Sequence, residues 1–137
     1  MGVEIVDPDV DPPVPEPFGR VAVTVAAVSV GGVVGALARY GLTYAWPSLW
    51  TTFAINVAGC LLIGVLMVFV AGAHHLVRPF LGVGVLGGFT TFSAYAEQSR
   101  ALLAGGQSVR AFGYLAGTLV AAVVAVHLGR AAAERVR

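Results

Sequence analysis

The sequence predicts an all-α membrane protein with four transmembrane helices. Apolar residues fill 58% of its 137 positions and charged residues only 11%, whereas soluble domains hold about 45–50% and about 25%. The mean hydropathy of +0.86 implies that apolar residues coat the outside as well as fill the inside, which only lipid accommodates. A net charge of +1 without a basic cluster excludes a nucleic-acid-binding surface.

Residues 1–19 differ in composition from the rest of the chain. They hold five of the seven acidic residues and most of the prolines. Such a segment buries too little apolar surface to offset the entropy lost on ordering, so we expect a disordered tail. It lacks the basic start and apolar stretch of a signal peptide, so the first helix should stay attached. Residues 20–137 then form one membrane domain.

Four apolar segments follow the tail, at 21–38, 49–73, 79–96 and 111–129. Each is close to the roughly 20 residues needed to cross a hydrocarbon core of about 30 Å. Polar or proline-bearing joints separate them. An even number of spans places both chain ends on one side of the membrane.

The arginines are divided almost evenly between the two sides of this layout. Five lie on the side of the termini and three on the other, namely Arg20, Arg78, Arg130, Arg135 and Arg137 against Arg39, Arg100 and Arg110. The positive-inside rule favours cytoplasmic termini, but such a small excess suits a chain that inserts in both orientations.

Glycines are frequent within the spans and form three small-xxx-small pairs. These are Gly31 with Gly35, Gly84 with Gly88, and Gly113 with Gly117. Small residues let helix backbones approach closely in lipid, so these pairs predict helix contacts.

The third span contains the sequence GGFTTFS at 87–93, which is poor in helix formers and rich in hydroxyls. It predicts a break near the middle of the helix, with two half-helices meeting at Gly87 to Thr90, where freed carbonyl groups could bind a cation. The alternative is a continuous glycine-rich packing face whose threonines bond back to their own helix.

Asn56 is a polar amide within the second apolar span. An amide at that depth needs either a ligand or an interhelical partner, and the sequence leaves both open. Tyr114 and Thr118 share one face of the fourth span and pose the same choice.

Charged groups are scarce at membrane depth. Arg39 ends the first uncharged stretch, where it either reaches the interface or faces an aqueous vestibule. No acid lies between positions 21 and 96, so a proton-coupled pump has no carboxylate in the first two spans. Passive conduction is favoured. The single cysteine, Cys60, and the scattered histidines have no metal-ligand spacing.

Three motifs in order, GGVVGALARY at 31–40, NVAG at 56–59 and GGFTTFS at 87–93, resemble the CrcB/Fluc family of fluoride channels. The resemblance covers all four spans. It implies a non-enzymatic fluoride-selective channel in the plasma membrane, exporting fluoride passively from the cytoplasm. It also implies an antiparallel, dual-topology dimer with two pores and a central, structural sodium ion as its cofactor.

The resemblance also assigns residues to the fluoride path. Phe92 would offer its positive ring edge to the anion, and Arg39 would lie in the vestibule. The main-chain oxygens of Gly87 and Thr90 would bind the sodium ion. The residues along the path would be Asn56, Phe92, Ser93, Tyr95, Tyr114 and Thr118.

The chain departs from the family pattern Phe-Ser-Thr-Phe, since it reads Phe92-Ser93-Ala94-Tyr95. The second aromatic is Tyr95, and a threonine hydroxyl is missing at Ala94. One alternative is therefore a heterodimer in which this chain is the partner with a degraded pore. Two others are a small four-helix multidrug-type exporter, which would need a carboxylate in its first span, and a non-conducting scaffold subunit.

Overall fold

The computed structural model describes residues 17–137, and every regular element in that range is helical. Helix α1 runs over Phe18–Ala45, α2 over Leu49–Phe69, α4 over Phe92–Ala104 and α5 over Ser108–Val136. Between α2 and α4 lie a 3₁₀ turn at Val70–Gly72, a π-type helix at Arg78–Leu86 and one α-helical turn, α3, at Gly87–Phe89.

Three of the described helices, α1, α2 and α5, are long and apolar enough to cross a membrane. They coincide with the first, second and fourth predicted spans. Helices α1 and α5 extend beyond the apolar stretches at both ends, because main-chain hydrogen bonding continues past the residue where side chains become polar. The third predicted span is divided, with a two-residue interruption at Thr90 and Thr91. This interruption lies at the end of the predicted break, because Gly87–Phe89 still forms a helical turn.

The predicted tail, 1–19, lies outside the described residues except for its end. Pro17 precedes α1, and Phe18 and Gly19 already belong to the helix. The helix therefore begins two residues earlier than the tail boundary placed it.

The helices pack as two pairs held by glycines. Helix α1 lies against the π-type helix and α3, and α2 lies against α5. A Cβ on Gly31 would meet the main-chain oxygen of Phe80, and one on Gly88 would meet that of Gly32. In the second pair, Gly64 lies against the backbone of Val126.

Two of the predicted small-residue pairs thus form helix contacts. Gly31 and Gly35 face the π-type helix and α3, and Gly84 and Gly88 face α1 in return. Gly113 and Gly117 behave differently, since a Cβ on either would meet nothing within 4 Å in the described chain. Their face of α5 is open.

Both ends of the described chain lie near the joint that follows α2. The Arg137 guanidinium donates to the Val68 main-chain oxygen at 3.0 Å. Arg20 and His75 line a common surface groove, which brings the start of α1 to the same joint. The even-span layout predicted this arrangement of the ends.

Candidate functional site

The interruption between α3 and α4 is where the chain leaves helical geometry. Thr90 and Thr91 are both extended, with ψ of 160° and 125°. The Thr91 side chain then begins α4, because its hydroxyl accepts from the Ala94 amide at 3.2 Å. Threonine is a favoured N-cap, so the sequence itself ends one helix and starts the next here.

Asn56 of α2 pairs with the backbone of this interruption. Its Nδ2 donates to the Thr91 main-chain oxygen at 3.0 Å, and its Oδ1 accepts from the Thr91 amide at 2.8 Å. The half-buried amide therefore has an interhelical partner, which is one of the two roles the sequence left open.

Arg39 of α1 contacts the other side of the interruption. Its Nε donates to the Gly88 main-chain oxygen at 3.1 Å. The Thr90 hydroxyl bonds back to the Leu86 oxygen of the preceding turn at 2.9 Å. Among the described residues, no hydrogen bond reaches the main-chain oxygens of Gly87 and Thr90.

Aromatic rings continue from the interruption towards α5. The Phe92 and Tyr95 ring centroids are 5.9 Å apart, and those of Tyr95 and Tyr114 are 5.4 Å apart, both tilted. The Tyr95 hydroxyl donates to the Leu115 main-chain oxygen at 2.8 Å. This bond fixes the Tyr95 ring against α5.

An open groove of about 440 Å³ lies beside the interruption. Its lining residues come from α2, the interruption, α4 and α5, namely Asn56, Cys60, Thr90, Thr91, Phe92, Tyr95, Thr118, Leu119 and Ala122. No charged side chain is among them. The groove therefore brings amide, hydroxyl and aromatic groups together beside the interruption, next to apolar side chains.

The Thr118 side chain holds an unsatisfied hydroxyl. The residue is 4% exposed, and its Oγ1 has no hydrogen-bond partner within the described part of the chain. An unpaired buried hydroxyl costs about 1–3 kcal/mol, so its retention in the wall of a groove suggests a ligand.

Comparison with known proteins identifies the family. The family model of CrcB-like protein, Camphor Resistance (CrcB), matches residues 26–130. The chain belongs to the CrcB-like family.

Curated relatives of this CrcB-like chain carry names that state an activity. It is 53% identical over 116 residues to fluoride-specific ion channel FluC 2 of Nocardia farcinica, covering 79% of this chain and 83% of the relative. It is 51% identical over 123 residues to FluC 1 of Streptomyces coelicolor, covering 84% and 80%. It is 47% identical over 113 residues to FluC 1 of Rhodococcus jostii, covering 82% and 87%.

The predicted path residues do not all lie in the groove of this CrcB-like protein. Four of them, Asn56, Phe92, Tyr95 and Thr118, line it together. Ser93 is exposed, and its hydroxyl shares a 3.2 Å hydrogen bond with that of Thr91. Tyr114 lines a neighbouring cavity of about 650 Å³, to which Thr118 also belongs. Thr118 thus lies where the two spaces adjoin.

A half-buried polar network beside Tyr114 was not predicted from the sequence. The Tyr114 hydroxyl donates to Gln98 Oε1 at 2.8 Å, and Gln98 Nε2 donates to the Thr52 hydroxyl at 2.9 Å. Thr52 lies one turn before Asn56 on the same face of α2. The four-residue spacing between Thr52 and Asn56 could have predicted a polar stripe on that face of α2.

Glu97 follows the third apolar segment and is exposed. Its carboxylate forms an ion pair with Arg100 at 2.6 Å.

Proposed function

We propose that this protein is a subunit of a fluoride-selective channel that lets fluoride leave the cytoplasm passively. The observation that carries the proposal is the groove beside the interruption, with its uncharged donors, its aromatic rings and the unpaired Thr118 hydroxyl. The names of the curated relatives support the choice of ion. The protein is accordingly a multi-pass plasma-membrane channel subunit and not an enzyme.

The chemistry of the groove suits a small anion that binds water strongly. A pore must replace the hydration shell with donors, yet hold the ion weakly enough to release it. The Thr118 hydroxyl and the remaining Asn56 N–H can meet the first need, and the lack of a cationic group meets the second. The edge of the Phe92 ring carries partial positive charge and can contact a dehydrated anion.

Arg39 is proposed to supply positive potential beside the path. Its Nε is engaged with Gly88, and the remaining guanidinium donors can attract anions without binding them in the groove itself.

The proposed assembly is an antiparallel, dual-topology dimer of chains that each cross the membrane four times. The third crossing consists of the π-type helix and α3 on one side of the interruption and α4 on the other. Phe92 is 79% exposed and the face of Gly113 and Gly117 is open, as expected of surfaces that a second copy covers. Two such chains would enclose two pores.

A structural sodium ion is proposed at the interruption. Carbonyl oxygens of unwound transmembrane backbone are suitable Na⁺ ligands. The main-chain oxygens of Gly87 and Thr90 fit this role because no hydrogen bond from the described residues occupies them. The ion would neutralise the partial negative charge of these oxygens.

The heterodimer alternative depends on Ala94 and Tyr95. Tyr95 keeps an aromatic ring in the wall of the groove, which favours the homodimer. The multidrug-type exporter lacks support, because no acid lies in α1.

The proposal is tested with the purified chain reconstituted into liposomes loaded with potassium fluoride. On addition of valinomycin, a fluoride electrode should record rapid efflux. The same vesicles loaded with potassium chloride should release little chloride, read with a chloride electrode. Equal efflux of the two ions, or none above protein-free vesicles, would contradict a homodimeric fluoride channel. Efflux that requires co-reconstitution with a paralogous chain would instead establish the heterodimer.

A further inference from the structure

The two hydrogen bonds between Asn56 and Thr91 suggest a second role for the Asn56 side chain. Thr91 is extended, with φ of −148° and ψ of 125°. An extended residue presents its N–H and C=O on the same side, as strand residues do when they exchange both bonds with a partner. A carboxamide carries one acceptor and one donor side by side, so it matches that pair.

Both main-chain groups of Thr91 depend on this contact. Its amide donates to Asn56 Oδ1 and its carbonyl accepts from Nδ2. Water is scarce at membrane depth, so a main-chain group left unpaired there is costly. Asn56 therefore replaces the helical hydrogen bonds that Thr91 gives up at the interruption.

The same contact leaves the amide little capacity for an ion. Asn56 Oδ1 can only accept, and one of the two Nδ2 hydrogens is already donated. A single N–H remains to face the groove.

Thr91 transmits the position of Asn56 to the pore wall. Its hydroxyl caps α4 by accepting from the Ala94 amide, and the next residue is Phe92, whose ring lines the groove. A shift of Thr91 would move the start of α4 and the Phe92 ring together.

We infer that Asn56 is a positioning residue, which holds the backbone of the helix interruption at Thr91 and thereby places Phe92 in the fluoride path. This inference rests on the proposed channel function. Leucine provides neither group, aspartate provides no donor when ionised, and glutamine carries the same carboxamide one methylene further from the backbone.

The test is Asn56→Leu in the full chain, with two measurements on the same preparation. One is fluoride efflux from liposomes. The other is the exchange rate of the Thr91 amide hydrogen, read by NMR on protein labelled with ¹⁵N-threonine. We expect efflux to fall and Thr91 exchange to rise, each by about two- to tenfold, the factor that one net hydrogen bond represents.

Thr118→Val is the matched control, because Thr118 lines the same groove but its hydroxyl makes no hydrogen bond to Thr91 in the described chain. It should lower efflux without changing Thr91 exchange. If Asn56→Leu lowers efflux with Thr91 exchange unchanged, Asn56 acts on the ion directly and the inference is wrong. It is equally wrong if neither measurement changes.

A second variant leaves the Asn56 side chain intact. Replacing the Thr91 amide nitrogen by an ester oxygen removes the donor to Oδ1 and also weakens the preceding Thr90 carbonyl, so efflux should again fall, by at least about two- to tenfold. Unchanged efflux would overturn the inference even if Asn56→Leu did not fold. Absence of efflux from the unaltered chain would contradict the channel function. The Thr91 exchange rate tests the Asn56 contact independently of efflux.

Discussion

The Arg39 guanidinium of α1 donates through Nε to the main-chain oxygen of Gly88, at the last turn before the chain leaves helical geometry. A cation at a helix C-terminus is favourable, because the last carbonyls there lack intrahelical donors. Arg39 therefore also stabilises the fold, in addition to its proposed electrostatic role.

Replacing Arg39 should destabilise the protein. In Arg39→Met the Gly88 oxygen loses a charged donor, which is worth about 1.5–3 kcal/mol in the free energy of unfolding. Thermal unfolding in detergent measures the change. Arg110→Met is the control, since within residues 17–137 the Arg110 side chain bonds only to the exposed side chain of Gln107, and it should shift stability by less than about 0.5 kcal/mol. Equal shifts in the two variants would contradict the role of the Gly88 contact.

Two buried threonines should respond in opposite ways to the same substitution. Thr118→Val removes a hydroxyl without a partner in the described chain, so stability should be unchanged or higher while fluoride efflux falls. Thr52→Val removes the acceptor for Gln98 Nε2 and should cost about 1–3 kcal/mol in the free energy of unfolding. The comparison requires unfolding and efflux measurements on both variants. A large stability loss in Thr118→Val would mean that its hydroxyl has a structural partner.

The glycine contacts predict a difference between two substitutions on α1. A Cβ at position 35 would clash with the Val85 main-chain oxygen, and backbone cannot move aside as a flexible side chain can. Gly35→Ala should therefore destabilise by about 1–3 kcal/mol. Gly41→Ala meets nothing within 4 Å and should be neutral or stabilising by about 0.5–1 kcal/mol, because alanine favours helix. Equal unfolding temperatures of the two variants would contradict the close contact between Gly35 and the Val85 backbone.

Tyr95→Phe tests the departure from the family pattern. The substitution removes the hydrogen bond to the Leu115 oxygen, and about 1 kcal/mol of stability should be lost. The ring remains in the wall of the groove, so fluoride efflux should persist. An increase in efflux of tenfold or more, on the order of 1.4 kcal/mol in the barrier, would instead identify the tyrosine as the cause of a degraded pore.

Replacing sodium by N-methylglucamine should lower the unfolding temperature of the purified protein. An ion that binds only the folded state raises the free energy of unfolding in proportion to the logarithm of the ion concentration. Titrating sodium back should restore the unfolding temperature, with choline chloride as the ionic-strength control. An unfolding temperature that responds equally to choline would count against the site at Gly87 and Thr90.

The apolar runs were sufficient to predict where α1, α2 and α5 lie, because burial in lipid follows composition directly. The run at 87–93 was also sufficient to predict an interruption, since its glycines and hydroxyl-bearing residues are weak helix formers. Its location at Thr90 and Thr91 was not fully predictable. It depends on Asn56, 35 residues away in the sequence, and that contact exists only once α2 has packed beside the chain.

The same limit explains what the sequence left open at the candidate site. Spacing places Tyr114 and Thr118 on one face of α5, and both are buried there. It could not reveal that Gln98 satisfies the first hydroxyl while the second remains unpaired in the described chain. Local periodicity reports which face a residue lies on, whereas hydrogen-bond partners are set by neighbouring helices.

The glycine contacts between α1 and the π-type helix, and between α2 and α5, also limit which substitutions this protein can accept. Where two backbones touch at a glycine, every substitution adds side-chain atoms, because no other residue is as small as glycine. Exchange of one apolar residue for another remains open on the outward faces, such as those of Val33 and Val120. We therefore expect substitutions to accumulate on the outward-facing surface while the glycines at the helix contacts are kept. Related chains should then differ most at the residues that contact the bilayer or a second subunit.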